Sequence, residues 1–167
     1  MEVTAETRQR SPALTLSLQF SRDEVARAHR QVLTRGKVSR FIRAALAGEA
    51  ADQPAEITVR VVGAEEGRTL NLDYRGKDYA TNVLTFDYSR SPLCADLVLC
   101  APVIAREAQQ LGVALEAHYA HLLVHGTLHA QSHDHEIEPQ AEAMESLETR
   151  LVTALGYPDP YAARVTD

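Results

Sequence analysis

The stretch ALEAHYAHLLVHGTLHA, residues 114–130, reads as one continuous helix with four histidines on a single face. At 100° per residue, His118, His121, His125 and His129 fall within a stripe about 80° wide. One histidine there would be a satisfied core or surface residue. Four in register, with His133 and His135 following, point to metal binding. A metal ion takes imidazole nitrogens at about 2.1 Å, so only residues one turn apart can share it. His121/His125 and His125/His129 both have that spacing, whereas His118 and His129 stand about 16 Å apart along the axis. A third ligand must come from outside the helix. His135 lies six residues past His129, and a turn through Gln131 and Ser132 would fold it back onto the last helical turn. That favours His125/His129 over the pair one turn earlier. The predicted set is His125, His129 and His135. Three neutral imidazoles with a fourth position open is the ligand count of a catalytic zinc site, where bound water ionises near pH 7 and supplies hydroxide.

Gly126 bears on the chemistry. In zinc peptidases a glutamate follows the first histidine and serves as general base. Glycine cannot do so, which disfavours a peptidase. The base would come from His133, Asp134, a more distant residue or the substrate.

Working outward, Leu14, Leu16, Leu18 and Phe20 alternate with polar residues as a half-buried strand. Ser21 and Glu24 form a capping box, predicting a helix that runs toward Arg35 and is interrupted by Gly36. A second helix is predicted over about Ser39 to Ala50. Ile57, Val59 and Val61 give a second strand ended by Gly63. Residues 64–73 read as a short helix, followed by a glycine-centred polar loop, Tyr74-Arg75-Gly76-Lys77-Asp78. Val83 to Tyr88 is a third strand. Ala95 to Cys100 is a near-continuous apolar run, predicted to be a central strand. Pro102 opens a helix that Gly112 stops. After the histidine helix, Gln131 to Glu138 reads as a polar turn, and Pro139 to Leu155 as an amphipathic helix ended by Gly156. The expectation is an α+β fold: a small mixed sheet of about four strands packed with helices, one of them a zincin-like metal-binding helix.

The 167 residues suit one domain spanning 1–167, and 45% hydrophobic with 24% charged residues is ordinary for a globular chain. No stretch approaches the ~20 apolar residues of a membrane span. Met1 to Arg10 has no apolar core of a secretory signal. Cys94 and Cys100 make no disulfide framework and read as a loop thiol and a core thiol. The expectation is a cytoplasmic, reduced protein with no membrane partner. The net charge of -6 is uneven: residues 1–43 carry nine Lys/Arg against four Asp/Glu, and the rest eight against nineteen. Asp134 to Glu148 holds six acids and no Lys or Arg, which reads as a solvated helix face. A basic first quarter could attract a polyanion, the plain alternative being a helix with its charges on a solvated outer face.

His125-Gly126-Thr127-Leu128-His129 followed by Asp134-His135 resembles the signature of the YbeY family of bacterial rRNA-maturation endoribonucleases. The likeness extends over nearly the whole chain: EITVRVV at 56–62, LNLDYRGKDYATNVLTF at 70–86, DLVLC at 96–100, residues 116–135 and LGYPDPY at 155–161. Ser132 stands where the family usually has glycine, Ala130 where it has leucine, and Ala95 where it has glycine. The resemblance implies one Zn2+ held by the three histidines. It also implies a metal-dependent, single-strand-specific endoribonuclease acting at the 3′ end of the small-subunit rRNA and in ribosome quality control. Single-stranded rRNA, the small ribosomal subunit and its assembly factors are the implied partners. Arg75 falls on the family's characteristic arginine, and a guanidinium suits a phosphate and the charge that builds on phosphorus. His133 and Asp134 are further catalytic candidates, the first for proton relay or base stacking, the second for orienting a ligating imidazole. Tyr74, Tyr79 and Tyr88 offer faces for bases. Two rival readings are a ribosome-assembly binding factor with a structural or vestigial zinc, which predicts no cleavage, and a peptide or amide hydrolase.

Overall fold

Apolar residues at alternate positions commit three segments to strands. In the computed structural model, which describes residues 13–46, 53–131 and 138–162, these strands pair with a fourth in one sheet. The order is β1 (Leu14–Phe20), β2 (Ala55–Val62), β4 (Leu93–Cys100) and β3 (Val83–Arg90). β1 and β4 run parallel to β2, while β3 pairs antiparallel with β4 and forms an edge. The helices are α1 (Glu24–Ala28), α2 (Arg35–Ala45), α3 (Ala64–Arg75), α4 (Ala101–Leu111), α5 (Leu115–Gln131) and α6 (Glu138–Ala154). This is the expected α+β arrangement, and β4 is an inner strand as its apolar run requires.

The two-residue period of the strands separates two cores. Ile57, Val59, Val61, Leu97 and Leu99 lie in one cluster with Val38, Phe41 and Ile42 of α2 and Tyr119, Ala120 and Leu123 of α5. All five strand residues are fully buried, a gain of about 1.5–3 kcal/mol each. Val62, Val98 and Cys100 pack on the other face with Leu84, Phe86 and Leu70 of α3. α5 also turns Val124 and Leu128 toward Ala45, Met144, Leu151 and Val152, so α6 closes over it from outside. The histidine helix thus lies between sheet and helices.

Several boundaries differ from the sequence expectation for local reasons. Asp23, not Ser21, caps α1: its carboxylate accepts from Val25 N and Ala26 N, both at 3.1 Å. The helix ends at Ala28 and a 3-10 turn, His29–Gln31, follows. Gly36 does not interrupt a helix but sits in the first turn of α2, because Thr34 Oγ1 accepts from Lys37 N and starts that helix earlier. α3 runs two residues further than expected, so Tyr74 and Arg75 are helical and the loop begins at Gly76. Gly76 takes φ 73°, the left-handed cap conformation that side chains resist. Cys94 lies on β4 rather than in a loop, and Cys100 is buried in the core. The polar turn predicted after Gln131 lies outside the described residues.

Candidate active site

α5 is apolar nearly all round, with eleven of its seventeen residues buried. The histidines mark its exception, and their exposure rises along the chain. The side chains of His118, His121 and His125 are 6%, 14% and 39% exposed. The row therefore starts in the core and opens toward solvent at His125; His129, one turn on, is part-buried, with Nδ1 out of contact with solvent.

The first three histidines each meet a carboxylate. His118 Nε2 lies 2.8 Å from Glu107 Oε1 of α4. Asn82 Nδ2 donates to the same oxygen, and Asn82 Oδ1 accepts from Val83 N, so this part-buried pair ties α4 and α5 to the start of β3. Glu148 of α6 serves the next two. Its side chain is 1% exposed, with Oε1 2.9 Å from His121 Nε2 and Oε2 2.6 Å from His125 Nδ1. The Tyr161 hydroxyl donates to Oε1. Gly156 ends α6, and Asp159 Oδ1 accepts from Tyr161 N and Thr149 Oγ1, which brings Tyr161 back against the helix. Burial pushes the Glu148 carboxyl up, but hydrogen bonds from His121, His125 and Tyr161 outweigh it and hold the group down to about 2. An ionised carboxylate only accepts, so both imidazoles donate to it.

These hydrogen bonds distinguish the two pairs that have ligand spacing. His121 has Nε2 committed to Glu148. His125 meets Glu148 through Nδ1, which leaves Nε2 as the nitrogen facing a ligand, and a metal-bound histidine commonly has its other nitrogen held in this way. The His125 and His129 rings lie 6.0 Å apart and nearly parallel, at 8°, whereas His121 and His125 are inclined at 74°. Two imidazoles one turn apart, one with its second nitrogen already held, fit the donor set of a zinc site. His135, His133 and Asp134 lie outside the described residues, and no group of three metal-ligating side chains occurs among the described ones.

The other candidates are placed elsewhere. Arg75 is the last residue of α3, with Nη1 donating to Asn71 Oδ1 at 3.5 Å. α3 packs against the sheet face opposite α5, with β3 as the edge between them. Gly126 faces the sheet: a Cβ there would stand 3.2 Å from Leu97 Cδ2 and 3.5 Å from Thr85 Oγ1. A glutamate at that position would be driven into the core, which adds a steric reason against peptidase chemistry. Tyr74, Tyr79 and Tyr88 are 53%, 53% and 63% exposed. Tyr74 packs on Phe86, and the Tyr88 hydroxyl donates to Asp96.

Sequence reasoning missed Glu148, Tyr161 and Arg90. Arg90 is exposed, and its Nη1 donates to Gln131 O, two residues beyond His129. Glu148 carried a usable signal. It falls on the apolar stripe of α6, four residues from both Met144 and Val152, where an acid needs a partner.

An α+β protein whose mixed sheet carries a histidine helix, buried at one end and open at the other, is the class this geometry defines. The profile of the family described as endoribonuclease YbeY matches residues 19–156, and the chain belongs to that family. A Methylibium petroleiphilum protein named endoribonuclease YbeY is 65% identical over 152 residues, covering 90% of this chain and 96% of its own. One of the same name from Delftia acidovorans is 62% identical over 151 residues, covering 89% and 96%. The fold is similar to the solution structure of a Thermotoga maritima protein, with a TM-score of 0.52 at 19% identity, covering 92% of this chain and 97% of that one.

Proposed function

We propose that this chain is a zinc-dependent, single-strand-specific endoribonuclease of rRNA maturation. It acts at the 3′ end of the small-subunit rRNA and in ribosome quality control, in the cytoplasm, alongside the small ribosomal subunit and its assembly factors. The observation that carries the reading is the solvent-open end of the histidine row, where buried Glu148 holds His125 with Nε2 available. The relatives named endoribonuclease support the reaction class. No helix among the described residues is long and apolar enough to cross a membrane.

His125, His129 and His135 would hold one zinc ion, which when bound supplies Lewis-acid charge at neutral pH. The remaining work falls to the chain's own groups. Arg75 presents a planar guanidinium that binds a phosphate through two hydrogen bonds and strengthens its hold as charge builds on phosphorus. Arg90 places a second guanidinium by the open end of α5. His133 relays a proton between nucleophile and leaving oxygen, and Asp134 orients a neighbouring imidazole. Cleavage breaks the P–O bond to the leaving sugar oxygen, which takes a proton. Water as nucleophile leaves a terminal phosphate, and a neighbouring 2′-hydroxyl leaves a cyclic one.

The test is cleavage of one RNA sequence offered single-stranded and as a duplex to purified protein. The account predicts cutting of the single strand, little of the duplex, and loss of both on chelation. Tight binding of the single strand with no cleavage, even with added zinc, would favour a binding factor instead.

A further inference from the structure

We propose that Glu148 is a positioning residue of the metal site: its carboxylate fixes His125 in the tautomer that offers Nε2 to the ion, while His121 and Tyr161 hold the carboxylate in place. The inference rests on reading His125, His129 and His135 as the zinc ligands.

Three observations carry it. Glu142 and Glu145, on the same helix, are exposed, whereas the Glu148 side chain is almost wholly buried. A carboxylate is buried at high cost unless each oxygen is paired. Here the pairing is divided by atom: Oε1 receives His121 Nε2 and the Tyr161 hydroxyl, and Oε2 receives His125 Nδ1 at 2.6 Å. With Oε1 doubly held, the carboxylate does not rotate away from His125. Finally, the ring it holds is the most exposed of the three histidines paired with carboxylates, with one nitrogen left for a ligand. Glu107 and His118 make the contrasting pair. They join α4 to α5 at a similar distance, 2.8 Å, but His118 is buried and stands two helical turns before His125. Glu107 therefore serves as the control for a carboxylate that only fastens helices.

The experiment uses the full chain in two measurements. In metal-free wild-type protein, nitrogen NMR of the histidine rings reads the tautomer of His125, and the proton is expected on Nδ1. Zinc affinity is then measured by competition with a chromogenic chelator for wild type, Glu148→Gln and Glu107→Gln. The expectation is zinc binding about 10–100-fold weaker in Glu148→Gln, with Glu107→Gln binding as wild type does despite lowered stability. Unchanged zinc affinity in Glu148→Gln, an equal loss in both variants, or the His125 proton on Nε2 would each overturn the proposal. The tautomer measurement needs no variant and decides even if Glu148→Gln does not fold. Wild-type protein that takes up no zinc would instead overturn the ligand assignment, and the proposal with it.

Discussion

Arg75 ends α3 with its guanidinium lying against Asn71, one turn back. Asn71 is fully buried and donates Nδ2 to Tyr79 O at 2.7 Å, so it fixes both the following loop and the arginine beside it. A guanidinium steadied through Nη1 has further donors with which to meet a developing phosphoryl charge. Replacing Arg75 by Ala should lower kcat on single-stranded RNA by about 10²–10³-fold, the usual loss for one such donor. Arg75→Lys should recover only part, because an ammonium lacks the planar fork. Wild-type turnover in Arg75→Ala would remove this residue from the reaction. At this scale motif and spacing single out Arg75, His125 and His129, which the fold sets at the end of α3 and on one face of α5. Glu148 escaped because it was counted among six acids between 134 and 148 and given to a solvated face. A net count of charge does not register helical phase, and phase is what buries this acid and leaves Glu142 and Glu145 in water.

Among elements, the joint between α4 and α5 has a measurable pH dependence. Hydrogen bonding from His118 holds the Glu107 carboxyl below its ordinary 4.5, against a smaller burial effect, with Asn82 and the Arg106 charge assisting. A depressed carboxyl contributes stability above its unfolded value, and loses it as pH falls through the folded one. Glu107→Gln should therefore unfold more easily than wild type at pH 7, by about 1.5–3 kcal/mol for a charge-assisted bond. The gap should close on acidification below about pH 4.5. Denaturant titrations of both proteins at several pH values check this, and a constant gap would contradict it. Elements themselves were legible wherever period and length agreed: β1, β2, β4, α4 and α5 fall close to where alternation, Pro102 and Gly112 put them. Helix starts were less so. Asp23 and Ser21 are both acceptable caps in sequence, and only the fold shows which one meets the free N–H groups.

The whole molecule divides its candidate groups between the two faces of the sheet, the histidine row on α5 and Arg75 at the end of α3. Part of the basic first quarter is spent internally: Lys37 pairs with Glu116, Arg35 donates to Leu16 O and Arg40 to Leu155 O. α2, which bears Lys37 and Arg40, docks beside α5. Sheet order was not legible from the strands alone, because neither the parallel pairing of β1 with β2 nor the placing of β3 at the edge is encoded in alternation. The histidine row, by contrast, was legible because one helix carries it and local spacing suffices. The central claim is that this row's open end cuts RNA with a metal's help. Its most direct test sets purified wild-type protein beside His129→Ala, prepared identically and matched in thermal stability, on single-stranded ribosomal RNA. The account predicts cutting by wild type alone, abolished by chelation and restored by zinc. Equal cutting by both proteins would contradict it.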